Sequence, residues 1–345
     1  MTEDRGLEDK MGDGLNDQIL NPRQLLEISG AYWESCALHA AVKLGVFTII
    51  GEDRLTDMEV AQKLNGDERG VATLLNALTA MGLLIKSENK YANSPLSATH
   101  LTKGSPQYIG YMIMHHYHLM DSWHQLDRSV VTGAPVRVRA KASTEEQRES
   151  FLMGMFNLAM ALAPQTTKEI DLAGRKQLLD VGGGPGTWAI HFCLNNPGLR
   201  ATVYDLPGSR PFAEQIIARF GVSKRVHFQE GNYLEDDIQG RYDVAWLSHI
   251  LHGESPEDCD LIIKKAVETL DPDGLVMIHD FILNNDLAGP LFPALFSLNM
   301  LTGTAGGRSY SEEQIMGMLA KAGAKNLKRH PFRAPNDSGI IVGII

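Results

Sequence analysis

With 345 residues, 43% of them hydrophobic and 21% charged, the chain is long enough for two domains with separate cores and has an ordinary globular composition. A net charge of -10 (32 basic against 42 acidic residues) argues against broad contact with nucleic acid or an anionic membrane, and no apolar run reaches the roughly 20 residues that span a bilayer. Three cysteines, Cys36, Cys193 and Cys259, sit in helical patterns and read as buried small hydrophobes of a reducing cytoplasm.

Residues 1–18 are polar, acidic at the start and without the apolar core of a signal peptide, so a mobile N-terminus and a cytoplasmic location are expected. Residues 19–103 form the first structured unit. A helical pattern begins at Pro22 and continues to Phe47, and Thr56-Asp57-Met58-Glu59 is a capping box that opens a second helix. A third helix over 69–81 leads into a hairpin, 82–85 with 90–92, and helix, helix, hairpin is a winged helix. A DNA-binding regulator is therefore one reading. However, the candidate recognition helix opens Asp67-Glu68-Arg69, one cation beside two acids, where a DNA reader needs several phosphate-neutralising cations. The helices and Leu44-Gly45-Val46-Phe47 carry more apolar surface than so small a unit can bury, which predicts a homodimer.

Residues 104–170 read as a helical connector. The stretch 106–133 is rich in Tyr and His, but His115-His116-x-His118 points to different faces of one helix and lacks an acidic or Cys partner, so no metal is expected. Arg137, Arg139 and Lys141 make a short basic loop, and 151–163 is a methionine-rich helix for which core packing is the default.

Residues 171–345 carry a run of strands with polar tips. The strand 177–181 runs into Asp180-x-Gly182-x-Gly184-x-Gly186 and then a helix, a strand–turn–helix unit that brings backbone close to a ligand. An acid two residues before the first glycine sets the spacing apart from the dinucleotide fingerprint and suits a cationic ligand better than a pyrophosphate. A second strand ends in Asp205-Leu206-Pro207, placing an acid about 20 residues further on, where ribose hydroxyls would meet it. Later strands end in Glu230-Gly231-Asn232-Tyr233, Ser248-His249-Ile250-Leu251-His252 and, after the turn 271–274, His279-Asp280. The pattern predicts a doubly wound α/β sheet whose carboxyl-end crevice binds the ligand. A helix over 291–301, the capping signal Ser311-Glu312-Glu313-Gln314 and a closing strand over 338–345 complete it.

These motifs, with Gly306-Gly307-Arg308, resemble the class I S-adenosylmethionine (SAM) methyltransferases, and among them the plant and bacterial small-molecule O-methyltransferases that carry an N-terminal winged-helix dimerisation domain. The resemblance implies a Rossmann-like SAM domain, SAM as cofactor without a metal, a homodimer whose dimerisation domain closes the partner's active site, and a closing strand that pairs antiparallel. It implies cofactor contacts from Asp180, Gly182, Gly184, Gly186, Asp205, Leu206, Asn232, Tyr233, Ser248 and His249. It makes His252 the general base and Asp280 its orienting acid, and it points Phe156, Asn157 and Met160 at the acceptor; Tyr117, Phe296, Asn299, Met300 and Arg308 are further candidates for the acceptor site.

The chain departs from the family pattern in four places. His252 is followed by Gly253-Glu254 in place of Asp-Trp, Asp280 is shorter than the usual Glu, Ser309 replaces the second acid, and Asn232 replaces an Asp beside adenine, where its carbonyl could still accept a hydrogen bond. A thinned base favours an acceptor with no proton to lose. The chain is also similar to bacterial methylthiohydroxybutyrate S-methyltransferases, so S-methylation of a thioether acid such as 4-methylthio-2-hydroxybutyrate, in dimethylsulfoniopropionate synthesis, becomes the leading reading. Tyr117, Phe296 or Tyr310 would face the new sulfonium, and Arg308, Arg137 or Arg139 the carboxylate. The alternative is O-methylation of a phenolic or enolic hydroxyl with His252 as base.

Overall fold

The computed structural model describes residues 20–137, 144–332, 334 and 336–345; the N-terminus read as mobile and Arg139 lie outside the described residues. The first unit starts with α1 (Pro22–Gly30), whose capping box is Asn21 with Gln24. Then come α2 (Tyr32–Lys43) and α3 (Val46–Ile50), separated by Gly45 at φ 71°, where a left-handed residue stops α2. The helical pattern that ran unbroken in sequence is thus three helices. Next follow β1 (Leu55–Thr56), α4 (Asp57–Leu64), α5 (Glu68–Ala80), β2 (Leu84–Ser87), β3 (Lys90–Asn93) and α6 (Pro95–His100). The capping box at Thr56 and Glu59 forms, with the Thr56 hydroxyl accepting from the Glu59 N–H. The expected wing is there and gains a strand, in the order β1-β3-β2. Phe47, Ile50, Leu75, Leu78 and Tyr91 fill its core. By contrast α1 buries no residue, and Leu25, Leu26, Ile28 and Trp33 present their apolar surface outward.

The connector comprises α7 (Gly110–Trp123), α8 (Leu126–Thr132) and α9 (Glu145–Glu169). The helix begins well before residue 151 because Thr144 and Gln147 form a capping box, ahead of a first turn with two exposed acids. In the third unit the elements are β4 (Gln177–Val181), α10 (Thr187–Asn195), β5 (Arg200–Asp205), α11 (Arg210–Arg219), β6 (Val226–Glu230), β7 (Tyr242–Ser248), α12 (Pro256–Glu268), β8 (Leu270–Leu283), α13 (Leu291–Gly303), β9 (Tyr310–Ser311), α14 (Glu312–Lys321), β10 (Lys325–Arg329) and β11 (Ser338–Ile344). The sheet runs β10-β11-β8-β7-β4-β5-β6. β4 pairs in parallel with both β5 and β7, so the strand order reverses at β4 and the crevice opens beside its tip. Two apolar clusters cover the two faces of this sheet.

Three details differ from the sequence reading. The turn at 271–274 is an irregularity inside β8, where the Asp273 N–H donates to the Ile345 carbonyl and the Ile345 N–H to that of Gly274. β10 is an edge strand whose one inward apolar residue is the half-buried Leu327 among exposed polar ones, so no alternation announced it. Cys36 is exposed, whereas Cys193 and Cys259 are buried as expected. β11 is antiparallel to β8, as the resemblance implied. Among the described residues no helix is long and apolar enough to cross a membrane.

Leu75 is fully buried in the first unit. Leu75→Ala is expected to lower the unfolding free energy by about 2–5 kcal/mol, read from urea denaturation.

Candidate active site

The glycine turn is shaped from below. Gly182 has φ +65°, and a β-carbon there would lie 2.5 Å from Ile250 Cγ2, so only glycine lets the turn pass. At Gly183 a β-carbon would meet Asp180 Cγ at 2.7 Å and Val203 Cγ1 at 2.9 Å. Asp180 itself is fully buried, its Oδ2 accepting from the Ala189 N–H and its Oδ1 without a partner. Burial, set against that hydrogen bond, pushes its carboxyl up to about 8. It therefore braces the turn from beneath, and burial favours its protonated form at neutral pH.

Asp205 does stand at the tip of β5. Its Oδ2 accepts from the Gly184 N–H at 2.7 Å, and its Oδ1 accepts from the Leu206 N–H and the Ser209 hydroxyl. A carboxylate has about four acceptor positions, so one remains for a ribose hydroxyl. Leu206 is half exposed beside it. The Asn232 carbonyl accepts from the Leu234 N–H at 3.0 Å, which leaves its second lone pair and its amide NH₂ for a ligand. Tyr233 packs toward Gly182 and donates to Glu254 Oε1 at 3.0 Å. Together the glycine cradle, Asp205 and Asn232 fit a nucleoside, with the first turn of α10 behind them.

The second half of the site is a histidine–carboxylate pair. His252 lies on a 3₁₀ turn after β7, and its Nδ1 is 2.6 Å from Asp280 Oδ1. Asp280 also accepts from the backbone N–H groups of His252 and Phe281. Burial alone would raise its pKa, but His252 and His249 beside it hold the carboxyl far below the usual range. The His252 ring is sandwiched at 5.7 Å by Phe281 and met edge-on at 4.7 Å by Phe296. The Gly306–Gly307 turn packs on the His252 backbone, a β-carbon at Gly307 falling 2.5 Å from the His252 carbonyl. Ser309 is buried, its N–H bonded to Ser297 and its hydroxyl without a partner.

Two assigned cofactor residues turn elsewhere. The Ser248 hydroxyl meets His279 Nδ1 at 3.0 Å, and the far side of that buried ring meets Ser338. His249, at φ +56°, turns its Nδ1 to within 3.5 Å of Asp280. His249, His252 and Asp280 have ligand-type atoms within 4.8 Å of one another, the one such trio among the described residues.

The acceptor residues separate into two groups. Phe296 reaches His252, and one turn on Asn299 accepts from Trp123 Nε1 at 3.1 Å; Met300 is buried beside it on α13. The others are corrected. Phe156 lies in the core against α10, Met160 Sδ is 3.4 Å from His191 Nε2, and the Asn157 amide donates to the Tyr108 carbonyl. Tyr117 accepts from Lys43 of α2. Arg308 lines an outer cleft between α12 and α14 with Asp260, Gln314 and Lys321. Phe281, Trp123 and His279 were not read from the sequence as site residues; Trp123 lies in the Tyr- and His-rich stretch and His279 at a polar strand tip, but no pattern marked Phe281.

Comparison with known proteins places this geometry. An O-methyltransferase domain model matches residues 117–325, and an O-methyltransferase dimerisation domain model matches residues 26–103. The 3-hydroxy-5-methyl-1-naphthoate 3-O-methyltransferase of Streptomyces sahachiroi is 30% identical over 96% of this chain and 98% of its own. An O-methyltransferase family protein of Burkholderia thailandensis superposes with a TM-score of 0.85 at 27% identity, over 94% and 98% of the two chains. Human N-acetylserotonin methyltransferase in complex with SAM has the same fold, with a TM-score of 0.84 at 24% identity over 95% and 99%.

Two measurements check the turn. Gly183→Ala is expected to reduce S-adenosylhomocysteine affinity by 10-fold or more in calorimetry, because the new β-carbon has only buried atoms to displace. Asp180 has a raised folded-state pKa, so its share of stability is present below about pH 4 and lost as pH rises toward about 8. Asp180→Asn should flatten that decline, leaving the variant the more stable protein at pH 9 relative to its standing at pH 4, by thermal melts across the range.

Proposed function

The chain belongs to the O-methyltransferase family, and from that premise we propose that it methylates a phenolic or enolic hydroxyl of an aromatic small molecule. SAM is the family's cofactor and supplies an electrophilic methyl group on a sulfonium. The observation that carries the reading is the 2.6 Å bond between His252 and Asp280. With Nδ1 committed to the carboxylate, Nε2 is the nitrogen left to take a proton, and Asp280 stabilises the imidazolium that results. Alignment of the hydroxyl in a water-poor pocket supplies the rest of the rate.

A thioether acceptor rested on a weakened base, and Asp280 provides the orientation that Ser309 was thought to withhold. The thioether acid reading therefore gives way to the hydroxyl. The rings of Phe281, Phe292 and Phe296 favour a flat, apolar acceptor. The Streptomyces relative's name, an enzyme acting on the 3-hydroxyl of a naphthoate, agrees with that class.

We assign SAM to Gly182, Gly184, Gly186, Asp205, Leu206, Asn232 and Tyr233. The open apolar faces of α1 and α2 support a homodimer, and the acidic recognition helix speaks against a DNA-binding role. Light scattering at micromolar concentration should give twice the mass of one chain.

His252→Ala is expected to lower turnover at saturating substrates by about 10²–10⁴-fold while S-adenosylhomocysteine affinity stays near wild type. Mass spectrometry and NMR of the product should show a methyl ether. A sulfonium product, or turnover within about threefold of wild type in the variant, would sink the hydroxyl reading.

A further inference from the structure

One face of α13 runs from the catalytic pair to a cation. Phe296, Asn299 and Gly303 follow the i, i+3, i+7 spacing of a single helix face. Phe296 meets His252 at one end, and seven residues, or about 10.5 Å of helix, separate it from Gly303. At that end the guanidinium of Arg137 lies directly over the helix backbone. A β-carbon on Gly303 would be 2.5 Å from Arg137 Nη2 and 3.1 Å from its Nε, so glycine here makes the room that the guanidinium uses.

The segment is pinned in place, because the backbone N–H groups of Val136 and Arg137 both donate to the Thr302 carbonyl at 3.1 Å. Midway along the face, Trp123 holds Asn299. The neighbouring His115 sits against Phe151; burial, with His116 and Arg137 beside it, pushes its pKa down to about 4, so it adds no charge at neutral pH. Of the three arginines considered for an anionic group, Arg308 faces the outer cleft and Arg139 is outside the described residues.

We propose that Arg137 binds an anionic group of the acceptor, a carboxylate, at the end of the α13 face opposite His252, so that the acceptor is an aromatic hydroxy acid. A planar guanidinium suits a carboxylate through paired, charge-assisted hydrogen bonds. Two fused rings would bridge the distance between the two ends, flat against Phe296. The placement of the hydroxyl rests on the reading of His252 given above; the carboxylate site does not.

Binding separates the two. The full chain, loaded with S-adenosylhomocysteine, is titrated by calorimetry with 1-naphthoate and with 1-naphthamide, neither of which has a hydroxyl to methylate. The acid is expected to bind about 10- to 100-fold more tightly than the amide, the range of a hydrogen bond to a charged group. Arg137→Gln should bring that ratio close to one, and Arg137→Lys should restore part of it. Gly303→Ala should narrow the ratio without changing any charge, and it decides the matter if the arginine variants fail to fold. Equal affinity for acid and amide in the wild type overturns the proposal, as does a preference that survives Arg137→Gln or the failure of both compounds to bind at millimolar concentration. A wild-type preference for the acid combined with methylation insensitive to His252→Ala would uphold Arg137 and reject the hydroxyl reading alone.

Discussion

A carboxylate whose side chain is 3% exposed has to be paired, and Asp280 is placed where three donors converge, with a second imidazole beside them. The Phe281 N–H and the His252 N–H fix its two oxygens from the backbone, the His252 Nδ1 lies 2.6 Å from its Oδ1, and the His249 ring stands 3.5 Å away. That requirement shapes the chain around it. The 3₁₀ turn over Leu251–Gly253 must fold back onto the end of β8, His249 takes a left-handed conformation, and the Gly306–Gly307 turn comes within contact of the His252 carbonyl. A β-carbon at Gly306 would meet Ser255, and one at Gly307 the backbone of the turn that carries His252.

The reversal of strand order at β4 does for the nucleoside what Asp280 does for the base. Because β4 is flanked by β5 on one side and β7 on the other, the glycine turn, Asp205 and the His252 turn all reach the same edge of the sheet. The turn itself depends on a buried acid beneath it. Asp180 binds the Ala189 N–H at the first turn of α10, so strand, turn and helix move as one body. A protonated carboxyl tolerates such burial where a charged one would not.

Helix α13 links the chemistry to selection of the acceptor. Its first turns contribute Phe292 and Phe296 to an aromatic wall with Phe281, and its last turn lies under Arg137. Base, wall and cation, which come from different elements, thus all meet one helix, and the separation of the two contact points on it, Phe296 and Gly303, is set by helix geometry.

What the sequence determined by itself is local. The Asp180–Gly186 turn between a strand and a helix, the boxes at Thr56 and Ser311, and the polar strand tips at Asp205, Asn232, His252 and Asp280 were legible because each depends on residues a few positions apart. The sheet topology followed from the alternation of strands and helices, and the partnership of His252 with Asp280 came from resemblance. Tertiary structure alone decided where side chains on the helices point. Phe156 and Met160 turn to α10, Tyr117 to Lys43, and Arg308 to the outer cleft, while Arg137 is laid on Gly303. Helical periodicity states that a helix has a face to bury but not which neighbour it meets, since that depends on contacts as far as 176 residues apart along the chain.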